Sequence, residues 1–236
     1  FALSACATAP GSSLTTASTD PAAGETEFRA LYKELIETNT TFSVGSCTQA
    51  SERMKARLAA AGYTDADMQI LVNPGPKRPQ DGNLIALLPG TNPALKPILL
   101  LAHIDVVEAK REDWVRDPFK LTEEGGYFYA RGASDDKAMA AIFTDIMIRY
   151  KQEGYKPARG VKLALTCGEE SANEVVGAKW LTEAQRDLLD AEFALNEGAG
   201  GRIDPATGKY TFNGVQAGEK RYEDYTIEVT NPGGHS

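Results

Sequence analysis

Apolar runs in this sequence end on acids and a histidine. Ile98 to Ala102 leads into His103-Ile104-Asp105, Val161 to Cys167 into Gly168-Glu169-Glu170, and Glu192 to Asn196 into Glu197-Gly198. Two more acids, Asp135 and Asp136, lie in Arg131-Gly132-Ala133-Ser134-Asp135-Asp136-Lys137, just ahead of a helical pattern. Taken singly, each has an ordinary explanation. Ser134 suits a helix N-cap, the two Asp residues suit the helix dipole, Glu169-Glu170 suits a solvated turn, and His103 suits a satisfied strand end. Together, these acids would repel one another unless something cationic sat among them. One imidazole with several carboxylates matches zinc, cobalt or manganese, whereas copper or iron–sulfur chemistry asks for thiolates. Two such ions about 3.5–4 Å apart, sharing a carboxylate, polarise a carbonyl and acidify a bridging water. That is equipment for hydrolysing an amide.

The elements that must position these groups are read from periodicity. Phe28, Leu31, Tyr32, Leu35 and Ile36 repeat at helical spacing, as do Ala50, Met54, Leu58 and Ala61, the second set closing on Gly62 as a C′ residue. Met68 to Val72, Asn83 to Leu88 and Ile98 to Ala102 are short apolar runs between Pro, Gly and Asn, which predicts strands. Met139 to Tyr150 restores the helical period, Val161 to Cys167 predicts a buried strand, Ala178 to Leu189 a helix, and Glu192 to Asn196 another strand. The alternation predicts an α/β domain with a mixed, largely parallel sheet flanked by helices. In such sheets ligands bind beyond the carboxyl ends of the strands, where these acids fall. Tyr222 to Thr230 alternates like a half-exposed strand and is expected to open a second, α+β domain.

Composition narrows the function. The 236 residues are 42% hydrophobic and 25% charged, an ordinary globular balance. Thirty-three acids against 25 Lys plus Arg give a formal charge of −8, which disfavours nucleic acid and anionic lipid surfaces as partners. No stretch approaches the roughly 18 consecutive apolar residues of a membrane span. Cys47 and Cys167 cannot be paired from sequence, and Cys167, closing an apolar run, reads as a buried small hydrophobe. Near the start, Leu3-Ser4-Ala5-Cys6 resembles a bacterial lipobox, and Ala7 to Gly24 is rich in Ala, Thr, Ser, Pro and Gly, as a flexible tether is. The expectation is an exported lipoprotein anchored through Cys6, with residues 1–26 as signal remnant and tether.

Five motifs in order resemble one family: LLLAHIDVV (Leu99 to Val107), YARGASDDK (Tyr129 to Lys137), TCGEES (Thr166 to Ser171), NEG (Asn196 to Gly198) and NPGGHS (Asn231 to Ser236). They are similar to the signatures of the aminoacylase and glutamate-carboxypeptidase family of co-catalytic dizinc peptidases, family twenty of clan MH. The resemblance implies a zinc exopeptidase fold and two Zn2+ ions, with Co2+ or Mn2+ as substitutes. It implies that His103, Asp135 and Glu197 hold one metal, and that Asp135 also bridges to a second metal held by Glu170. It implies that Asp105 fixes the tautomer of His103, that Asp136 does not ligate, and that the Asp135–Asp136 peptide is cis. Glu169 is implied as general base, and His235 as an oxyanion donor to a partner subunit, making a homodimer through the lid domain.

The implied domains are residues 27–217, catalytic, and 218–236, the first strand of a lid and dimerisation domain. The family's second metal takes a further histidine with no match here, so a chain cut at both ends is expected. The implied substrates are small peptides or N-acyl amino acids. The alternatives are a related lid-less dizinc aminopeptidase, which the PGGHS motif disfavours, and a non-catalytic tethered binding protein, which has little use for Glu169. A serine hydrolase would need a GxSxG elbow, and a dinucleotide fold would need the third glycine of the GxGxxG spacing and a following helix after Gly198-Ala199-Gly200; neither is present.

Overall fold

The computed structural model describes residues 24–75, 78–170, 175–198, 200–215 and 225–234. Two of its strands, β2 (Gly82–Leu88) and β6 (Val161–Thr166), are buried along almost their whole length, because apolar side chains point to both faces. Around them the sheet runs β1 (Met68–Val72), β2, β6, β3 (Ile98–His103), β7 (Phe193–Leu195). The β1–β2 and β2–β6 pairings are antiparallel, while β6–β3 and β3–β7 are parallel. The expected mixed sheet with flanking helices is therefore present, parallel at two of its four pairings.

Helices α1 (Glu25–Ile36), α2 (Cys47–Ala60) and α3 (Lys137–Gln152) cover one face. Their Leu35, Ile36, Met54, Leu58 and Met147, all fully buried, pack on Leu84, Ala86, Ala102, Leu163 and Leu165. The other face, carrying Ile85, Ala164 and Leu99, is covered by Leu181 and Leu189 of α4 (Gly177–Ala184) and α5 (Arg186–Leu189). The single helix expected over Ala178 to Leu189 is thus two, broken at Gln185, whose backbone (φ −135°, ψ 36°) is not helical. Gly62, at φ +105°, takes the left-handed position foreseen after α2. A small hairpin, β4 (Thr122–Glu124) and β5 (Tyr127–Tyr129), turns on Gly125-Gly126, both at positive φ.

The described chain divides into two units between Asn196 and Glu197. The second contains a hairpin, β8 (Gly201–Ile203) with β9 (Tyr210–Asn213), whose residues are all exposed. The strand expected over Tyr222 to Thr230 is not formed where the chain is described: Tyr225 to Thr230 carries no regular structure, and Tyr225, Ile227 and Val229 are more than four-fifths exposed. Alternation marks a strand only when a neighbour completes its ladder, and no strand among the described residues pairs with this one. Among the described residues no helix is long and apolar enough to cross a membrane.

Candidate metal centre

Parallel pairing sets the site. His103 lies opposite Thr166 in the β3–β6 ladder, so the chain leaving β3 and the chain leaving β6 emerge side by side. The exits are stitched together: Ile104 N–H donates to Thr166 O at 2.8 Å, and the Asp105 carboxylate accepts Glu169 N–H at Oδ1 (3.2 Å) and Glu170 N–H at Oδ2 (2.9 Å). Asp105 is 1% exposed. Burial pushes its carboxyl up, but the hydrogen bonds and charge of His103 and the N–H groups of Glu170 and Gly168 outweigh this and hold it below its ordinary value.

His103 is itself buried, at 4% exposure. Its Nδ1 lies 3.1 Å from Asp105 O and 3.6 Å from Asp105 Oδ1. Both are acceptors, so the ring proton belongs on Nδ1 and the lone pair on Nε2. That lone pair faces another acceptor, Asp135 Oδ1, at 3.0 Å, with Glu169 Oε2 at 3.9 Å. Two acceptors this close need a shared cation, either a second proton or a metal ion. His103, Asp135 and Glu170 can each present one ligand atom, all within 4.8 Å of one another. Burial, then the negative charges of Asp135 and Glu169, push the Glu170 carboxyl above its ordinary value, which is the repulsion a divalent cation would relieve. A nitrogen and two carboxylate oxygens fit zinc or a neighbouring divalent ion.

Asp135 reaches this rim from the turn before α3, and its peptide bond to Asp136 is cis. The turn is tied down by Tyr32, whose hydroxyl donates to Ala133 O at 2.6 Å. Asp136, not Ser134, is the N-cap residue of α3. Its buried Oδ2 accepts His103 N–H at 3.2 Å, so it braces the backbone of the histidine while Asp135 faces the ring. Glu197 lies two residues past the end of β7 in the chain and is the first residue of the second unit. His235, and Cys6 of the lipobox, lie outside the described residues.

Three features carry no sequence signal strong enough to find them. Cys47 and Cys167 form a disulfide across 120 residues of sequence, so Cys167 is buried but not a free hydrophobe. The pairing follows from α2 packing on the sheet beside β6, which no local pattern reports. Asn83, fully buried in β2, accepts Cys167 N–H at 2.9 Å. Lys137, also fully buried, donates from Nζ to Thr38 O at 2.7 Å; burial pushes its ammonium down to about 7, against the opposing pull of Asp105. The run Asp135-Asp136-Lys137 shows Lys137 only as a motif letter, because nothing local marks a lysine opening a helix as buried.

Comparison with known proteins agrees with this geometry. Residues 99–232, more than half of the chain, match the model of peptidase family M20/M25/M40. Human aminoacylase-1 is 36% identical over 124 residues, which is 52% of this chain and 30% of that protein. A putative carboxypeptidase of Saccharomyces cerevisiae is 34% identical over 154 residues, 62% of this chain and 26% of that protein. Among solved structures, the M20 family metallo-carboxypeptidase Sso-CP2 from Sulfolobus solfataricus superposes with a TM-score of 0.59 at 22% identity, over 78% of this chain and 39% of that one. Human carnosine dipeptidase 1 gives 0.54 at 21% identity, over 74% and 39%. These likenesses are of fold, and the chain spans about a third of the length of the aminoacylases it matches. A mixed sheet flanked by helices, a rim of His103, Asp135 and Glu170 on it, and a family match over residues 99–232, which carry that rim, lead to one conclusion: this chain belongs to the M20/M25/M40 peptidase family.

Proposed function

We propose that the full-length protein is a divalent-metal hydrolase cleaving amide bonds of small peptides or N-acyl amino acids. The observation that carries this reading is the close approach of the His103 Nε2 lone pair to Asp135 Oδ1, 3.0 Å apart, with Glu169 and Glu170 beside them. As the family resemblance implies, His103 and Asp135 would be ligands of one Zn2+, with Glu197 completing that set, and Glu170 would be a ligand of a second. When bound, such ions polarise the scissile carbonyl and acidify a water.

Glu169 is the acid that this reading assigns to proton transfer. Its side chain is 53% exposed and its backbone is fixed through Asp105. It takes the water's proton and delivers it to the leaving amine nitrogen. Asp105 keeps the His103 ring in one tautomer while that happens. His235 would supply the oxyanion's hydrogen bond from a partner subunit, as the family resemblance implies. The same reading makes the protein an exported lipoprotein, anchored at Cys6. Its support is the disulfide, because such bonds persist in oxidising compartments.

The test is a hydrolysis screen of full-length protein against peptides with free C-termini and N-acyl amino acids, with and without a chelator, alongside an elemental count of metal. Chelator-sensitive hydrolysis of one class is the expected result. A metal-free protein, or hydrolysis indifferent to the chelator, refutes the reading.

A further inference from the structure

Cys167 is held at every polar or reactive group it has. Its N–H donates to Asn83 Oδ1 at 2.9 Å, and its C=O accepts Gly177 N–H at 2.8 Å and Asn73 Nδ2 at 3.4 Å. Its sulfur is bonded to Cys47. Two residues further on, the Asp105 carboxylate takes over and holds the N–H groups of Glu169 and Glu170. Of the four residues leaving β6, Cys167 and the two acids Glu169 and Glu170 are therefore each held at the backbone.

The anchors form one body. Cys47 is the first residue of α2, which is locked to the start of β2: Gly82 N–H donates to Thr48 Oγ1 at 2.9 Å and Ser51 Oγ donates to Gly82 O at 3.1 Å. Asn83 follows Gly82 in that strand, donates to Leu71 O and Asn73 Oδ1, both at 2.8 Å, and is completely buried. Gly177 approaches so closely that a Cβ there would stand 2.1 Å from Asn83 Oδ1. A helix already buried in the core, through Ala50, Met54 and Leu58, thus reaches the acid-bearing turn by a covalent bond and an amide.

We propose that the Cys47–Cys167 disulfide and Asn83 are positioning groups for Glu169 and Glu170, so that metal affinity and turnover depend on the oxidised state of the protein. The proposal rests on the metal-hydrolase reading above. A metal ligand tolerates little displacement, and loss of a residue that orients one costs about 10–100-fold in affinity. A misplacement of ~1 Å at a general base costs up to ~100-fold in rate. Reducing the bond frees Cys167 on its α2 side and loosens the turn from there.

The experiment uses full-length oxidised protein. Zinc alone is the probe, its affinity measured by competition with a chelator. The native protein is compared before reduction, after reduction with two thiols titrated, and after reoxidation, together with Cys47→Ser/Cys167→Ser and Asn83→Ala. Near-UV circular dichroism reports folding, and kcat and KM are measured separately. Zinc binding weaker by ~10-fold is expected in each altered form, with kcat down ~10-fold or more at little-changed KM, and recovery on reoxidation. Reduced, folded protein that binds zinc and turns over like the oxidised form overturns the proposal. If the cysteine changes merely unfold the chain and Asn83→Ala keeps native zinc affinity, it is overturned too. A native protein that binds zinc but hydrolyses nothing in the screen refutes the hydrolase reading instead, while the zinc comparison still decides the positioning role.

Discussion

Asp135 and Asp136 are neighbours in the chain with identical side chains, and the fold treats them as opposites. Asp135 is 63% exposed and turns its carboxylate to the ring of His103; Asp136 is 4% exposed and accepts the backbone N–H of the same residue. The contrast extends along the site. Glu169 and Asp135 form an open rim of acids, while Asp105, Asp136, Lys137 and Asn83 form a buried polar base beneath it. A rim alone would be a cluster of mutually repelling, mobile side chains. The buried base is what converts it into a fixed set of donors, since each buried polar atom is held by a specific partner that is costly to remove.

The two aspartates should therefore fail in different ways. Asp135→Ala is expected to weaken zinc binding and turnover by more than ~100-fold, because even a residue that merely orients a ligand costs about 10–100-fold. Its effect on unfolding free energy should stay within ~0.5 kcal/mol, as befits an exposed side chain. Asp136→Ala should instead lower stability by ~1–3 kcal/mol, through the His103 N–H left without its acceptor. Urea melts of metal-free protein beside zinc titrations check both; similar profiles for the two variants would erase the distinction.

Lys137 gives a subtler effect. Burial holds its ammonium at about 7 in the folded protein, against an ordinary 10.5. Between those values the unfolded chain binds a proton that the folded one does not, so this group makes stability rise with pH from about 7 to about 10.5, and its unfavourable contribution is complete below that window. Lys137→Met should flatten that rise in metal-free urea melts between pH 7 and 10. Parallel curves for native and variant protein would show that the lysine does not titrate this way.

How much of this was legible depends on whether the cause is local. Strands β2, β3 and β6 were visible as apolar runs because they are covered on both faces, and the strand-end acids were visible because a parallel pair must deliver both exits to one side. The base was largely invisible. Asn83 looks like a polar interruption in a strand, and the Cys47–Cys167 bond depends on α2 and β6 meeting in space. Lys137 was legible as a motif letter and not as a buried cation. Tyr225 to Thr230 shows the converse: its alternation is real, but a period of two specifies which side faces inward only when a neighbouring strand completes the ladder, and among the described residues none pairs with it.

The most direct test of the account is Glu169→Gln in the full-length protein, with metal content and hydrolysis measured on the same preparation. The carboxylate is required for proton transfer but not for the His103, Asp135 and Glu170 donor set. The prediction is metal content equal to the native protein's and turnover reduced by ~10²–10⁴-fold. Native turnover in this variant would contradict the assignment of Glu169, and a native protein containing no metal would contradict the centre itself.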